Sequence, residues 1–311
     1  MKAAITITTT SIILTLLLIG CASPLAEIPT TDMESQPEPK QEEPAIVEIT
    51  NPESMVVSTA TPLFTATPDN RLKPDDWKKW PIIPQVTSRS RDVYALGESL
   101  GMDPRAFSKI GDCQNVKESF MGFYDLKRYF LSSSQKTWQD TIDQFKGFYN
   151  RDGKAIEQGL NVAAALSPLL ADPVECRSGE SPLACELRIV RPSFAFVSFE
   201  RWWPDVTPPE QYEKYLRLVL ETIMANGTVP ILVTKADNIE GGQQINLIIA
   251  NLAYEYDLPL YNWWRAAQAL PHRGMDPERN DGFHISSDAW TGRSASALGT
   301  LDTLWKGLRG D

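Results

Sequence analysis

The chain has 311 residues, of which 42% are hydrophobic and 23% are charged, a composition typical of a globular domain with a sizeable core. Its formal net charge of −10 argues against nucleic acid as a partner, because phosphate binding needs a basic face. The same charge argues against docking of the folded surface on anionic lipid.

The first 20 residues contain a short apolar segment preceded by one basic residue, Lys2. The apolar run at residues 12–19 is too short to span a bilayer and is typical of a signal-peptide core. It leads into Leu-Ile-Gly-Cys, which resembles a lipobox whose cysteine, Cys21, receives diacylglycerol. We therefore interpret residues 1–20 as a lipoprotein signal peptide and expect extracytoplasmic anchoring to a bacterial membrane through lipid on Cys21. The alternative is that Cys21 stands at this position by chance.

Residues 21–75 have a different composition, in which proline recurs among threonine, glutamate and glutamine. Such a segment cannot bury enough apolar area to offset its chain entropy, so it is expected to be disordered or extended. We interpret it as a tether between the lipidated cysteine and a globular domain at residues 76–311.

In the globular part, short apolar runs alternate with amphipathic stretches. Runs with aromatic or β-branched character predict strands at residues 107–110, 194–199, 229–234 and 258–261. Apolar residues at helical spacing predict helices around residues 207–226, 245–256 and 287–308. This alternation implies right-handed crossovers and a mostly parallel sheet, with ligands bound beyond the carboxyl ends of its strands. The sequence has neither a P-loop nor a dinucleotide-binding glycine motif, which argues against nucleotide binding.

Two short motifs carry residues suited to catalysis. Gly111-Asp112-Cys113 follows the first predicted strand and is expected to open a helix. Asp281-Gly282-Phe283-His284 precedes the last predicted helix and holds one of the two histidines. This spacing lets the carboxylate reach imidazole Nδ1 and leaves Nε2 to act as a base, the arrangement that acyl transfer uses. The alternative is a helix cap beside a surface histidine.

The four cysteines divide by position in the chain. Cys176 and Cys185 flank a short polar loop, and in an exported protein they are the natural disulfide pair. With Cys21 assigned to lipid, Cys113 remains as a thiol at the start of a predicted helix, whose N–H groups and dipole favour a thiolate. Neither histidine forms a ligand spacing with the cysteines, so we expect no metal.

Residues 107–113, Phe-Ser-Lys-Ile-Gly-Asp-Cys, resemble the first block of SGNH (GDSL-type) hydrolases, in which strand one ends in Gly-Asp-Ser. Residues 281–285 are similar to the final block of that family, Asp-x-x-His. The resemblance covers nearly the whole globular part and implies a flavodoxin-like three-layer αβα sandwich that hydrolyses an ester or acetyl group without a cofactor. It also implies that Cys113 is the nucleophile, that His284 moves protons and that Asp281 orients His284. Gly159 lies where the glycine of the second block would donate its N–H to the oxyanion hole.

The chain departs from the family pattern at two places. Cys113 replaces the nucleophilic serine, and residues 200–203 read Glu-Arg-Trp-Trp in the third block, where Trp202 takes the place of the oxyanion-hole asparagine. Losing one oxyanion donor typically costs about 3 kcal/mol of transition-state stabilisation, whereas a thiolate is intrinsically more nucleophilic than a hydroxyl. Cys113 is therefore either the nucleophile or a small buried residue that replaced serine after the activity lapsed.

Two functions are consistent with these features. The first is a secreted lipoprotein with an esterase or acetylesterase domain that acts on a small acyl ester or an acetylated carbohydrate. The second is a catalytically impaired surface lipoprotein that keeps the fold and binds glycans through tryptophans. The pairs Trp202-Trp203 and Trp263-Trp264 follow predicted strands, where they either line the cleft or belong to the core. The intact Asp-x-x-His pair favours the enzyme, and the altered third block favours binding.

Overall fold

The structure is a computed structural model that describes residues 69, 71–200, 208–279 and 281–310. The predicted signal peptide, Cys21 and most of the predicted tether lie outside the described residues, as do Trp202 and Trp203. Within the described ranges, none of the helices combines the length and the apolar character that crossing a bilayer requires.

In the part of the chain that the structure describes, four parallel strands form one sheet, and they are hydrogen-bonded in chain order. The strands are β1 (Asp103–Gly111), β2 (Pro192–Ser198), β3 (Val229–Val233) and β4 (Leu260–Tyr261). Each coincides with one of the predicted strands, although β1 begins earlier than its apolar run. The predicted mostly parallel sheet is confirmed.

A short segment extends the sheet beyond the outer edge of β1. Ile156 forms an isolated parallel bridge to Gly111, and the Gly111 N–H donates to the Ala155 carbonyl at 3.0 Å. This segment follows β1 in the chain but lies on the side of β1 away from β2. If the bridge counts as a strand, the spatial order is 2-1-3-4-5, which is that of flavodoxin-like folds. Ligand sites in such sheets lie at the carboxyl end of β1, where the chain connections change direction.

Helices cover both faces of the sheet. They are α1 (Ser88–Leu100), α2 (Gln139–Gln144), α3 (Pro182–Val190), α4 (Pro209–Ala225), α5 (Gln244–Glu255), α6 (Trp263–Ala267) and α7 (Ser287–Arg309). On one face Phe107 and Ile231 pack with residues of α1 and α7, whereas on the other Ile110 and Leu232 pack with residues of α3, α4 and α5. Alternate strand residues therefore enter two cores, and the domain is a three-layer αβα sandwich.

The folded part begins earlier in the chain than Asp76. The Arg71 guanidinium donates to the Tyr254 carbonyl at 3.0 Å and pairs with Asp257 at 2.9 Å. Residues 69 and 71–75 therefore belong with the domain. Composition reveals a shortage of core-forming residues, but it does not reveal a charged segment that is held by ion pairs at the surface.

Candidate active site

Residues 111–113, at the end of β1, have distinct structural roles. A Cβ on Gly111 would lie 1.8 Å from the Ser198 carbonyl oxygen, so glycine is required where the ends of β1 and β2 approach. Asp112 is buried, and its carboxylate accepts a hydrogen bond from the Gln114 N–H at 3.1 Å. The next side chain, Cys113, is half-buried at the carboxyl edge of the sheet.

The helix predicted after Cys113 is only a three-residue 3-10 turn, Cys113–Asn115, which ends at extended Val116. A helix dipole arises from several aligned turns, and this segment does not provide them. The prediction that a helix dipole favours the thiolate of Cys113 is therefore wrong. Asp112 has the features of a helix N-cap in the sequence, but here it caps a single turn.

The second motif folds into a tight turn that orients His284. One oxygen of Asp281 accepts hydrogen bonds from the N–H groups of Phe283 and His284 at 2.9 and 3.0 Å. Its other oxygen lies 2.6 Å from His284 Nδ1. Gly282 has a φ of 64°, the left-handed conformation that favours glycine. The hydrogen bond from the His284 N–H, followed by that from Phe283, lowers the pKa of Asp281 to about 2, so the carboxylate is ionised at neutral pH.

An ionised acceptor beside Nδ1 favours the neutral tautomer that carries its proton there, which leaves Nε2 as the basic nitrogen. The backbone of His284 is held by Asp276, whose N–H donates to the His284 carbonyl at 2.9 Å, beside a bridge between Met275 and Ile285. The buried ring of Phe283 packs edge-on against the imidazole, with 4.9 Å between ring centroids. Both the ring and the backbone of His284 are therefore restrained.

The fold brings the two motifs together. Cys113 Sγ lies 3.8 Å from His284 Nε2, although 171 positions separate the two residues in the chain. The side chains of His284 and Asp281 are 28% and 42% exposed, so the site opens to solvent. The Cys113 thiol, the His284 imidazole and the Asp281 carboxylate form a connected series, in the order in which a nucleophile, a base and an orienting group are arranged for acyl transfer. A distance of this length is compatible with proton transfer, because catalytic hydrogen bonds are commonly long before substrate binds.

Gly159 lies in the turn that follows the Ile156 bridge to Gly111, and so comes from the chain segment beside the end of β1. Its φ is 78°, and a Cβ at this position would meet nothing within 4 Å. Backbone conformation therefore accounts for the glycine better than packing does. Donation of the Gly159 N–H to an oxyanion stays a prediction.

In the third block, Glu200 is buried and belongs to a polar network. Its Oε1 lies 2.7 Å from the Arg293 guanidinium and accepts a hydrogen bond from the Ser198 hydroxyl at 3.1 Å. In both contacts Glu200 Oε1 is the acceptor. Trp202, which the sequence places at the asparagine position, lies outside the described residues.

Sequence reasoning missed Arg293 and Gln114. Arg293 is fully buried in α7 and donates to the Asn115 side chain at 3.1 Å and to the Ser198 hydroxyl at 2.8 Å. One signal was available, because Arg293 lies at helical spacing on the face of α7 that also carries buried Ala297. A charged residue on an apolar face indicates a buried network.

Of the two tryptophans after β4, Trp263 belongs to the core, one of the two alternatives for this pair, and Trp264 is half-buried. Trp263 is buried, and Trp264 packs edge-on against buried Trp77, with ring centroids 4.9 Å apart. The predicted disulfide between Cys176 and Cys185 is confirmed.

No family description matches the chain, and no curated protein matches it. Several solved structures are similar in fold. A GDSL-like lipase from Bacteroides thetaiotaomicron is 12% identical, covering 69% of this chain and 98% of its own, with a TM-score of 0.42. The esterase EstA from Pseudoalteromonas sp. is 13% identical, covering 64% and 97%, with a TM-score of 0.42. The acetyl xylan esterase AlAXEase is 14% identical, covering 62% and 97%, with a TM-score of 0.39.

Likenesses this distant say nothing about substrate or activity. The strand order and the two helical layers are observed directly in this chain. The described domain is a three-layer α/β sandwich with a parallel sheet, similar in fold to SGNH (GDSL-type) hydrolases.

Proposed function

We propose that this protein is an ester hydrolase that works by acyl transfer through Cys113. The observation that carries the proposal is the connected series of Asp281, His284 and Cys113, with distances of 2.6 and 3.8 Å between successive groups. The series lies at the carboxyl end of β1, where flavodoxin-like sheets bind their ligands.

In the first half of the reaction, Nε2 of His284 takes the thiol proton, and Sγ of Cys113 attacks the ester carbonyl carbon. A carbon–sulfur bond forms, and the carbonyl electron pair moves onto oxygen. When the tetrahedral intermediate collapses, the ester carbon–oxygen bond breaks and the leaving alkoxide takes the proton from Nε2. The product of this half is a thioester on Cys113.

In the second half, Nε2 takes a proton from water, and the resulting hydroxide attacks the thioester carbon. The carbon–sulfur bond then breaks, the acid leaves, and the proton on Nε2 returns to sulfur. Asp281 stays ionised throughout and stabilises the imidazolium that forms twice per cycle. Its low pKa is consistent with this role.

The N–H groups of Cys113 and Gly159 are the proposed oxyanion donors. A site without the asparagine of the third block lacks one donor, and one donor is typically worth about 3 kcal/mol, or roughly a hundredfold in rate. We therefore expect slow turnover, with esters of good leaving groups hydrolysed fastest.

The proposed substrate is a small acyl ester or an acetylated carbohydrate. The exposure of the His284 and Asp281 side chains supports an acyl group carried on a larger molecule, because such a carrier can remain in solvent while its ester reaches Cys113. Trp263 gives no support to a glycan-binding role, because it is buried, whereas Trp264 is half-buried and packs on Trp77.

Export and lipid anchoring at Cys21 belong to the same proposal. The lipobox-like sequence supports them, and so does the disulfide between Cys176 and Cys185, because structural disulfides persist in oxidising compartments. When the full chain is expressed in a bacterium, mass spectrometry should find diacylglycerol on Cys21. An unmodified N-terminus beyond Cys21 would refute the anchoring.

Hydrolysis is tested with a panel of nitrophenyl acyl esters and acetylated oligosaccharides. The wild-type protein should turn over at least the activated esters, whereas Cys113→Ala and His284→Ala should not. His272→Ala is the matched control, because His272 is the other histidine of the chain, and it should leave turnover unchanged. Cys113→Ser should alter the rate, since a hydroxyl depends on the base more than a thiol does. If no variant and no substrate gives turnover above the Cys113→Ala background, the hydrolase proposal fails.

A further inference from the structure

Gln114 connects the two loops of the candidate site. It directly follows Cys113, and its side chain is buried. Its Nε2 donates a hydrogen bond to the Phe283 carbonyl oxygen at 3.1 Å, and Phe283 directly precedes His284. The hydrogen bond therefore joins the sequence neighbours of the thiol and of the imidazole.

Gln114 is itself held from two other directions. Its N–H donates to the Asp112 carboxylate at 3.1 Å, and its carbonyl oxygen accepts a hydrogen bond from the Arg293 guanidinium. Arg293 belongs to α7, the helix that begins shortly after His284. The backbone of Gln114 is therefore fixed in the loop that carries Cys113, and its side chain reaches the loop that carries His284.

We propose that Gln114 is a positioning residue that sets the distance and orientation between Cys113 Sγ and His284 Nε2. This inference rests on the proposed function, because it assumes that His284 acts on the Cys113 thiol. The two loops are distant in the chain, and a displacement of about 1 Å between reacting groups can cost roughly a hundredfold in rate. A buried amide whose bond is shielded from water restrains such a displacement.

The test measures alkylation of Cys113 by iodoacetamide between pH 5.5 and 8.5, with mass spectrometry of the Cys113 peptide. This readout needs no turnover and no knowledge of the substrate. Gln114→Leu has a similar volume but lacks the donor, and it should lower the rate at pH 6 by tenfold or more, towards that of His284→Ala. Gln114→Asn keeps the amide but withdraws it by one carbon, and its rate should be intermediate.

Gln268→Leu is the matched control. Gln268 also donates through Nε2 to a backbone carbonyl, that of Trp264 at 3.0 Å. Its loss should change the alkylation rate less than twofold.

A double-mutant cycle separates positioning from general destabilisation. In the His284→Ala background, Gln114→Leu should have no further effect on the rate. A wild-type rate in both Gln114 variants would overturn the inference and leave the proposed function standing, as would a Gln114→Leu effect that persists without His284. If His284→Ala itself leaves the wild-type rate unchanged, the proposed function fails and the inference with it.

Discussion

Lys109 lies in β1, shortly before the candidate nucleophile, and its side chain is 1% exposed. Its ammonium group donates to the carbonyl oxygens of Phe120 and Tyr149 at 3.1 and 3.0 Å. Burial, helped by the nearby charge of Arg151, lowers the pKa of Lys109 from 10.5 to about 7. The folded chain therefore releases the Lys109 proton at a lower pH than the unfolded chain does.

The sign of the resulting pH dependence follows from proton binding. Between about pH 7 and 10.5 the unfolded chain keeps the Lys109 proton and the folded chain does not, so the free energy of unfolding rises with pH. The full pKa difference corresponds to about 5 kcal/mol, and the part between pH 7 and pH 9 to about 2 kcal/mol. This contribution of Lys109 to the free energy of unfolding is fully present above pH 10.5, the pKa in the unfolded chain. It is lost as the pH falls through about 7, the pKa in the folded chain.

Lys109→Met removes the titrating group while keeping an unbranched side chain. Urea unfolding at pH 7, 8 and 9 should show the free energy of unfolding rising by about 2 kcal/mol in the wild type and staying nearly level in Lys109→Met. Absolute stabilities are less informative, because the variant also leaves two carbonyl oxygens without their donor. Parallel pH dependence in the two proteins would refute this assignment to Lys109.

Three further outcomes are expected. Asp281→Asn should lower kcat by about a hundredfold or more with little change in Tm, because a neutral amide no longer fixes the imidazole tautomer; a loss below about tenfold would contradict that role. Gly111→Ala should not fold stably, since its Cβ would meet the Ser198 carbonyl oxygen at 1.8 Å; an unchanged Tm would show that the strands separate at little cost. Replacing both Cys176 and Cys185 by serine should lower the free energy of unfolding by about 2–3 kcal/mol, measured by urea unfolding; equal stability would mean that the bridge does not constrain the unfolded chain.

The two motifs of the site could be recognised from sequence because each is a short run of adjacent residues. Asp281 reaches His284 within one turn, whereas the requirement for glycine at position 111 comes from the close approach of β1 and β2 and is visible only in the structure. The α/β fold was likewise predictable, since strands and helices alternate with clear periodicities. The 3.8 Å approach of Cys113 to His284 depends on the packing of distant segments, and the sequence could support it only through the family resemblance.

Buried polar residues are the part that sequence reasoning did not reach. Lys109, Gln114 and Arg293 are hydrophilic residues whose partners are largely backbone carbonyls or groups far away in the chain. Local pattern assigns such residues to the surface, because it cannot show which acceptors the fold will bring to them. The short turn after Cys113 was missed for a related reason, since an N-cap residue predicts where a helix starts but not how long it runs.

Trapping of the acyl-enzyme tests most directly whether Cys113 carries the reaction. The protein is mixed with an activated acyl ester, quenched in acid within one turnover and digested for mass spectrometry. The peptide containing Cys113 should gain the mass of one acyl group as a thioester, and His284→Ala should acylate more slowly. Absence of acyl on Cys113 while ester is being consumed, or acylation of another residue in its place, would contradict nucleophilic catalysis by Cys113.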